Sequence, residues 1–260
     1  MRLFYTFFQY LKFLFSAFNT YGHGVHSPFV YDFFQKVIYA KNPFYCFVEI
    51  EKMRKSLKKN NKQLNINDFG TGKNRMERVS RIARKSIEKP RFAQMIFRAA
   101  HFTKSVTVLE LGTSLGITTA YLAKANSKSK IISLEGCQEI ANIANENLNR
   151  LKINNVEIFL GNIDNTLDQI LDNNNEKIDF VFIDANHRYN AVIQYFNKII
   201  SILDENSIMV IDDIYLSTEM TRAWKEIKQH EQTVSTIDLF QIGFVLFNKN
   251  LPKKHYKAIF

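Results

Sequence analysis

The sequence predicts an α/β protein with a doubly wound, mostly parallel seven-stranded sheet, whose last strand is antiparallel, and with a helical N-terminal extension. From residue 106 onwards, short apolar runs alternate with segments that carry apolar residues at helical spacing. A glycine-containing turn joins the first run to its helix. The last two runs are separated by only a short turn, which forces an antiparallel hairpin, because a parallel return needs a long crossover.

The first strand leads into the turn on which the rest of the prediction depends. Residues 106–109 are apolar or β-branched and carry no charge, as expected of a strand buried on both faces, and Glu110 ends the run. Gly112 and Gly116 then bracket a tight turn, where a missing Cβ lets backbone N–H groups face a ligand, and a helix starts at Ile117. The spacing differs from the G-x-G-x-x-G of dinucleotide folds, which argues against a pyrophosphate site.

The later elements follow in regular alternation. The remaining predicted strands are 130–134, 156–160, 178–183, 207–211, 233–239 and 243–248, and the helices between them are 138–151, 163–171, 189–203 and 218–230. In such a sheet, ligands bind at the carboxyl ends of the parallel strands.

The first residues form an aromatic segment. Residues 1–18 predict a helix with apolar side chains almost all round it, which either packs on the domain or on a second subunit, or lies on a membrane surface. A lysine in the middle, the short length and the lack of a cleavage site argue against a membrane span or a signal peptide.

The segment 51–104 is strongly basic. It holds sixteen Lys and Arg against four acids, whereas the whole chain has a formal net charge of +10. We expect a helix over 51–64 that runs into a polar linker, an arginine-rich amphipathic helix over 73–87 and a helix over 91–102. The acid–glycine cluster at 68–72 is either a loop near the site or a plain turn. The basic face either contacts a phosphate-bearing substrate, RNA or an anionic membrane, or is simply solvated.

The two cysteines do not form a disulfide framework. Cys46 and Cys137 are too few for one and stand in ordinary apolar or small contexts, which favours a reducing, cytoplasmic location.

The motif Glu110-Leu111-Gly112-Thr113-Ser114-Leu115-Gly116 resembles the first motif of class I S-adenosylmethionine-dependent methyltransferases, in the variant of the catechol- and caffeoyl-CoA-type O-methyltransferases. The segments HSPF and QMIFRAA ahead of it are similar to those of a largely uncharacterised bacterial group of methyltransferase-like proteins with an N-terminal extension. The resemblance implies S-adenosylmethionine as cofactor, with a lid-like extension over 1–104 and a cofactor-binding domain over 105–260. The cofactor-binding residues that it implies are Glu110, Gly112, Thr113, Ser114, Gly116, Thr118, Glu135, Gly161, Asn162, Ile163 and Asp184.

Three of these positions have an expected role. Glu135 ends the second strand about twenty residues past the glycine turn, where an acid can accept the ribose hydroxyls. The resemblance assigns the adenine pocket to Asn162 and Ile163, either of which could equally cap a helix. It assigns the methionine carboxylate to the Thr118 hydroxyl, which could also be an ordinary first-turn residue.

Acids end the fourth and fifth strands. Asp184 follows residues 178–183, and Asp212 and Asp213 follow 207–211; neighbouring strands bring such ends to about 5 Å of each other. Carboxylates so close repel unless a cation or proton intervenes, and oxygen ligands suit Mg²⁺ or Ca²⁺. The resembling O-methyltransferases bind a metal with an acid and an Asp-Asn pair at these places, and Asp213 stands where their Asn is usual. Otherwise Asp184 and Asp212 only orient the cofactor amine and cap helices.

His187 is the candidate general base. It stands three residues after Asp184, at the offset where the resembling enzymes have a lysine base. Histidine can take a hydroxyl proton at neutral pH, because its ordinary pKa is about 6.5. A solvent-exposed histidine at a helix start is the alternative.

The expected function is therefore methylation of a small-molecule hydroxyl with a divalent cation and a histidine base. The first alternative is an RNA or tRNA methyltransferase that uses the basic segment 51–104. The second is a non-catalytic membrane-associated or binding protein on the same fold. Peripheral membrane contact through 1–18 and a homodimer are the further partners considered.

Overall fold

The computed structural model describes residues 2–68, 73–173 and 177–260. Within these ranges, eight strands belong to one mostly parallel α/β sheet, and two more strands form a separate antiparallel hairpin. The predicted fold class is confirmed, with one strand more than expected. The backbone divides into two compact units, Lys41–Asn174 and the combination of Met1–Ala40 with Asn175–Phe260.

The helices and strands have the following bounds. The helices are α1 (Arg2–Ser16), α2 (Pro28–Phe33), α3 (Tyr45–Leu57), α4 (Val79–Lys85), α5 (Pro90–Thr103), α6 (Ile117–Ala125), α7 (Gln138–Arg150), α8 (Ile163–Asn173), α9 (Tyr189–Ile199) and α10 (Thr218–Gln229). The strands are β1 (Gln63–Asp68), β2 (Lys73–Arg78), β3 (Thr107–Leu111), β4 (Lys130–Glu135), β5 (Val156–Leu160), β6 (Ile178–Ile183), β7 (Leu203–Ile211), β8 (Ser235–Asp238), β9 (Gly243–Leu246) and β10 (Lys254–Lys257).

In the unit Lys41–Asn174, strand β4 lies between β3 and β5, and all three are parallel. Every residue of β3 is buried, as the uncharged run before Glu110 predicts. Helix α5 packs its apolar side against α6, where Phe97 and Tyr121 meet edge to face with ring centroids 6.4 Å apart. The strand and the helix that flank the glycine turn are therefore both fixed in the core.

In the other unit, β6 and β7 are parallel, and β9 lies antiparallel to both β7 and β8. The predicted terminal hairpin is therefore confirmed. Strand β10 pairs in parallel with β8 and was not expected. Its sequence Lys-His-Tyr-Lys offers a single apolar side chain, Tyr256, which is buried. A short, lysine-rich edge strand of this kind carries little hydrophobic signal.

The prediction of a helix over 73–87 is wrong for its first part. Residues Lys73–Arg78 form β2, which pairs with β1, and only Val79–Lys85 are helical. Residues 63–67, expected as linker, belong to β1, where Leu64 and Ile66 are buried at the period of two that a half-buried strand requires. The helix expected over 51–64 ends at Leu57. Most of the loop 68–72 lies outside the described residues.

The N-terminal segment is helical, as predicted for residues 1–18. Helix α1 covers most of 1–18. Helix α2 has Pro28 in its first turn and Ser27 as its N-cap, with the Ser27 hydroxyl accepting a hydrogen bond from Val30 N at 3.5 Å. A π-helical turn, Phe34–Ile38, continues it. No helix among the described residues is long and apolar enough to cross a membrane.

Candidate functional site

The glycine turn lies directly after β3. Gly112, Ser114 and Gly116 all have positive φ, at 102°, 49° and 75°, and Gly116 is the N-cap of α6. A Cβ at Gly116 would lie 3.2 Å from Ala144 Cβ, so the close approach of α7 and the backbone conformation both favour glycine there. The carbonyl of Leu134 on β4 accepts from Gly112 N and Thr113 N at 3.0 and 3.1 Å. The turn is thereby held against β4.

Glu110 lies behind this turn and is fully buried. Its Oε2 accepts from the hydroxyls of Thr119 at 2.5 Å and Ser133 at 2.6 Å, and Ser133 Oγ also lies 2.6 Å from Thr113 Oγ1. Burial raises the pKa of the Glu110 carboxyl to about 7. In this position Glu110 holds the turn in place. Its predicted role in cofactor binding stays a prediction, one that would act through the turn.

Sequence reasoning missed the hydroxyls that bind Glu110 and the side chain that braces the far end of the turn. Ser133 interrupts the apolar run of β4, which was the only signal for it. Asn147 on α7 is buried and donates through Nδ2 to Leu115 O at 2.9 Å. Thr118, expected near the methionine carboxylate, is buried in the first turn of α6.

Glu135 ends β4, as expected. Ser114 N donates to its Oε2 and Cys137 N to its Oε1, both at 2.9 Å. Burial raises the pKa of the Glu135 carboxyl, and the backbone N–H bonds act in the opposite direction. Backbone donors thus orient both carboxylate oxygens, which keep further acceptor capacity. This is the arrangement needed to accept a pair of hydroxyls.

The turn after β5 begins with Gly161 at φ 148°, where a Cβ would lie 2.6 Å from Thr166 Oγ1. The side chain of Asn162 caps α8, because its Oδ1 accepts from Asp164 N at 3.2 Å. Gly161, Asn162 and Ile163 are all half-buried. The capping role that the sequence left open for Asn162 is therefore observed, and the predicted contacts with adenine stay predictions.

The other unit holds a cluster of acids and one imidazole at the ends of β6 and β7. Asp184, His187 and Asp212 each offer one ligand atom, and these three atoms lie within 4.8 Å of one another. The Nε2 of His187 lies 3.5 Å from Asp184 Oδ1 and 3.9 Å from Asp213 Oδ2. Asp212 is buried, whereas the other three side chains are half-buried. The structure therefore brings together the residues that the sequence assigned to metal binding and to catalysis.

The backbone around this cluster adopts two left-handed conformations. Asp213 has φ 55° and Asn186 has φ 46°. Asp and Asn tolerate this region better than other side chains, so Asp213 and Asn186 suit their backbone conformations. Asp212 N donates to Ile183 O at 3.0 Å, which ties the end of β7 to that of β6.

The donor set fits a divalent cation. Carboxylate oxygens suit Mg²⁺, Ca²⁺ and Mn²⁺, and an imidazole nitrogen extends the choice to the later transition metals. Three carboxylates around one imidazole also carry an excess of negative charge, which a cation would offset.

Comparisons with known proteins show which sequences and folds this chain is similar to. Residues 109–214 match the family model described as a methyltransferase domain. A search of curated proteins by sequence found no significant match.

Several solved structures share the fold. An O-methyltransferase from Bacillus cereus in complex with SAH has a TM-score of 0.58 at 18% identity, over 80% of this chain and 94% of that one. The O-methyltransferase TomG from Streptomyces achromogenes, in complex with SAM, has a TM-score of 0.54 at 16% identity, over 62% and 81% of the two chains. The SAH-bound methyltransferase PaMTH1 from Podospora anserina has a TM-score of 0.57 at 14% identity, over 80% and 98%. The chain therefore has the fold of the class I S-adenosylmethionine-dependent methyltransferases, and residues 109–214 are similar in sequence to a methyltransferase domain.

Proposed function

We propose that this chain transfers the methyl group of S-adenosylmethionine to a hydroxyl of a small-molecule acceptor. The observation that carries this proposal is the cluster of Asp184, His187 and Asp212, whose ligand atoms lie within 4.8 Å of one another. The fold alone supports methyl transfer in general. An acid-rich cluster with an imidazole is what activation of a weakly acidic hydroxyl requires.

The cofactor half of the proposal rests on the turns after β3, β4 and β5. Glu135 accepts the ribose hydroxyls, because both of its oxygens are already oriented by Ser114 N and Cys137 N. Asn162 and Ile163 border the adenine, and Thr118 together with the glycine turn receives the methionine part. The two N–H bonds reduce the reorganisation that ribose binding would otherwise need.

The acceptor half rests on the acids and the imidazole. Asp184, Asp212 and Asp213 would hold the divalent cation, which when bound lowers the pKa of a hydroxyl and stabilises its anion. His187 Nε2 takes the hydroxyl proton, and Asp184 Oδ1 at 3.5 Å stabilises the resulting imidazolium. The acceptor oxygen donates a lone pair to the methyl carbon, and the carbon–sulfur bond breaks with its electron pair going to sulfur. The products are the methyl ether and S-adenosylhomocysteine.

His187 has two roles open to it, because the same Nε2 is within ligand reach of the cation position. A nitrogen that coordinates a cation cannot take a proton at the same time. We assign the base role to His187, since the three aspartates suffice as oxygen ligands and water completes such shells.

The test is release of S-adenosylhomocysteine by the purified full chain with a panel of catechol-type and other hydroxyl acceptors, each with EDTA, Mg²⁺ or Mn²⁺. We expect turnover of at least one acceptor that stops in EDTA and returns with the cation. Turnover that is unchanged in EDTA would refute the cation, and turnover only with RNA would refute the acceptor class.

A second candidate, methylation of RNA, is favoured by one observation in the unit Lys41–Asn174. Arg78, Arg81 and Arg84 line a cavity of about 400 Å³ beside the hairpin of β1 and β2. Arg81 Nε lies 3.5 Å from Glu77 Oε2, so the positive charge of the three arginines is only partly neutralised. RNA binding there would weaken steeply with added salt, and the change of all three arginines to alanine would reduce that salt dependence.

A further inference from the structure

Helix α1 and the residue stretch after it carry an unusual number of exposed aromatic rings. Among the described residues, Phe4, Phe7, Phe8, Phe15 and Phe18 are between 51% and 81% exposed. Within α1, a spacing of three, four and seven residues puts Phe4, Phe7, Phe8 and Phe15 on one side, and Phe18 follows just after the helix. We call these five side chains the aromatic face. Contiguous apolar surface of this kind marks an interaction site.

The opposite side of α1 packs on other residues of the unit formed by Met1–Ala40 and Asn175–Phe260. Phe13 is buried, with its ring centroid 5.4 Å from that of Phe240 and 6.4 Å from that of Tyr215. Tyr5 OH donates to Thr221 Oγ1 at 2.8 Å. Because this side is held in place, the aromatic face stays directed outwards.

The charged side chains on α1 and directly after it are positive. No aspartate or glutamate precedes Asp32 in the sequence. Lys12 is exposed on α1, Lys257 Nζ donates to Ser16 Oγ at 3.1 Å, and Lys254 Nζ donates to Gly24 O at 3.2 Å. The end of α1 and the turn after it are thus accompanied by lysines from β10.

We propose that the aromatic face binds the surface of an anionic lipid bilayer, with α1 lying in the plane of the interface. Aromatic side chains enter the headgroup and acyl boundary, and the lysines contact the lipid phosphates. If the aromatic face instead paired with the same face of a second copy, the lysines of both copies would come close together. Residues 1–31 contain no acid that could neutralise them. The binding does not depend on methyl transfer.

The test is flotation of the full chain with vesicles of phosphatidylcholine alone or mixed with phosphatidylglycerol. We expect binding to the anionic vesicles that weakens with added salt, because the lysine contribution is screened. The double variant Phe7→Ser/Phe15→Ser loses two exposed rings and should bind at least roughly tenfold more weakly. Lys12→Glu should weaken binding to anionic vesicles by at least about fivefold, because it removes a positive charge and adds a negative one.

Two matched control variants distinguish binding by the aromatic face from non-specific binding of the chain to vesicles. Tyr45 is a fully exposed aromatic on α3, so Tyr45→Ser should leave vesicle binding unchanged. Lys128 is exposed between α6 and β4. Lys128→Glu changes the net charge by the same amount as Lys12→Glu, so it should weaken vesicle binding much less if the position of the charge matters. Far-UV circular dichroism and thermal melting verify that each variant is folded.

Each other outcome overturns the proposal. Equal binding to neutral and anionic vesicles would contradict the lipid charge preference. A dimer in analytical ultracentrifugation that Phe7→Ser/Phe15→Ser dissociates, without vesicle binding by the parent chain, would assign the face to a second copy. If the parent chain neither binds vesicles nor forms a dimer, the aromatic face is simply solvated.

Discussion

The imidazole Nε2 of His187 lies 3.5 Å from Asp184 Oδ1, in the loop between β6 and α9. The distance is longer than a hydrogen bond but short enough for strong attraction once the imidazole is protonated. Asn186, immediately before His187, has a left-handed backbone conformation. The pair therefore joins a proton acceptor to a carboxylate that can stabilise the acquired charge.

His187→Gln should lower kcat by about 10² to 10⁴, the usual contribution of a positioned base. KM for the cofactor should change little, because the proposed role concerns only the acceptor proton. The measurement is steady-state kinetics with the best acceptor, together with calorimetric titration of Mn²⁺. A large loss of Mn²⁺ affinity with intact kcat at saturating metal would show that His187 is a ligand instead of the base.

Asp212→Asn should reduce the affinity for a divalent cation by about 10- to 100-fold, since a buried carboxylate oxygen loses its charge. Titration of the purified chain with Mn²⁺, followed by electron paramagnetic resonance, measures this directly. Asp172→Asn is the matched control, because Asp172 is exposed near the end of α8. Equal Mn²⁺ affinity in the parent, Asp212→Asn and Asp172→Asn would contradict a cation site that includes Asp212.

Glu135→Gln should weaken binding of S-adenosylhomocysteine by about 10- to 100-fold, which corresponds to the loss of charge-assisted hydrogen bonds worth about 1.5–3 kcal/mol. The amide also turns one acceptor into a donor that faces Ser114 N or Cys137 N. Calorimetry on folded protein gives the affinity. Glu157→Gln, at an exposed position on β5, should bind like the parent, and a similar loss in both variants would contradict a specific role for Glu135.

Glu110→Gln should change how stability depends on pH. Burial raises the pKa of Glu110 from 4.5 to about 7 in the folded chain, so the fold favours the protonated acid. The stability that this provides is present below about pH 4.5 and is lost as the pH rises through 7. From pH 5 to pH 8 the parent should therefore lose up to about 3 kcal/mol relative to the variant, at about 1.4 kcal/mol for each pKa unit.

Urea unfolding of parent and Glu110→Gln at several pH values measures that difference. The glutamine can still accept from the Thr119 and Ser133 hydroxyls through its amide oxygen, so the comparison isolates the charge. Parallel stability profiles over the whole range would show that the buried carboxyl does not change its protonation there.

The sequence predicted the sheet and the ends of its strands because those signals are local. An apolar run followed by an acid and two glycines needs no distant partner to be recognised, and Glu135 and Asp184 follow from strand ends alone. The network under the turn was missed, since Ser133 reaches Glu110 across neighbouring strands from 23 positions away. The strand β2 was missed for a similar reason. Its arginine-rich sequence fits a helical pattern, and only pairing with β1 makes it a strand.

The cluster at the ends of β6 and β7 was predicted in membership but not in geometry. The sequence predicted that Asp184, Asp212 and Asp213 lie close together, because the carboxyl ends of neighbouring parallel strands are only about 5 Å apart. It could not determine that His187 would lie within 4.8 Å of the ligand atoms of Asp184 and Asp212, because that depends on the backbone path of a loop.

The central claim is that the turns after β3, β4 and β5 bind the sulfonium cofactor. Isothermal titration of the purified full chain with S-adenosylmethionine and S-adenosylhomocysteine tests it most directly. The account predicts one site per chain for each, with a Kd of about 1 μM to 1 mM, the range in which most enzymes hold their substrates. Absence of heat and of any thermal stabilisation by either ligand, in protein that is demonstrably folded, would contradict it.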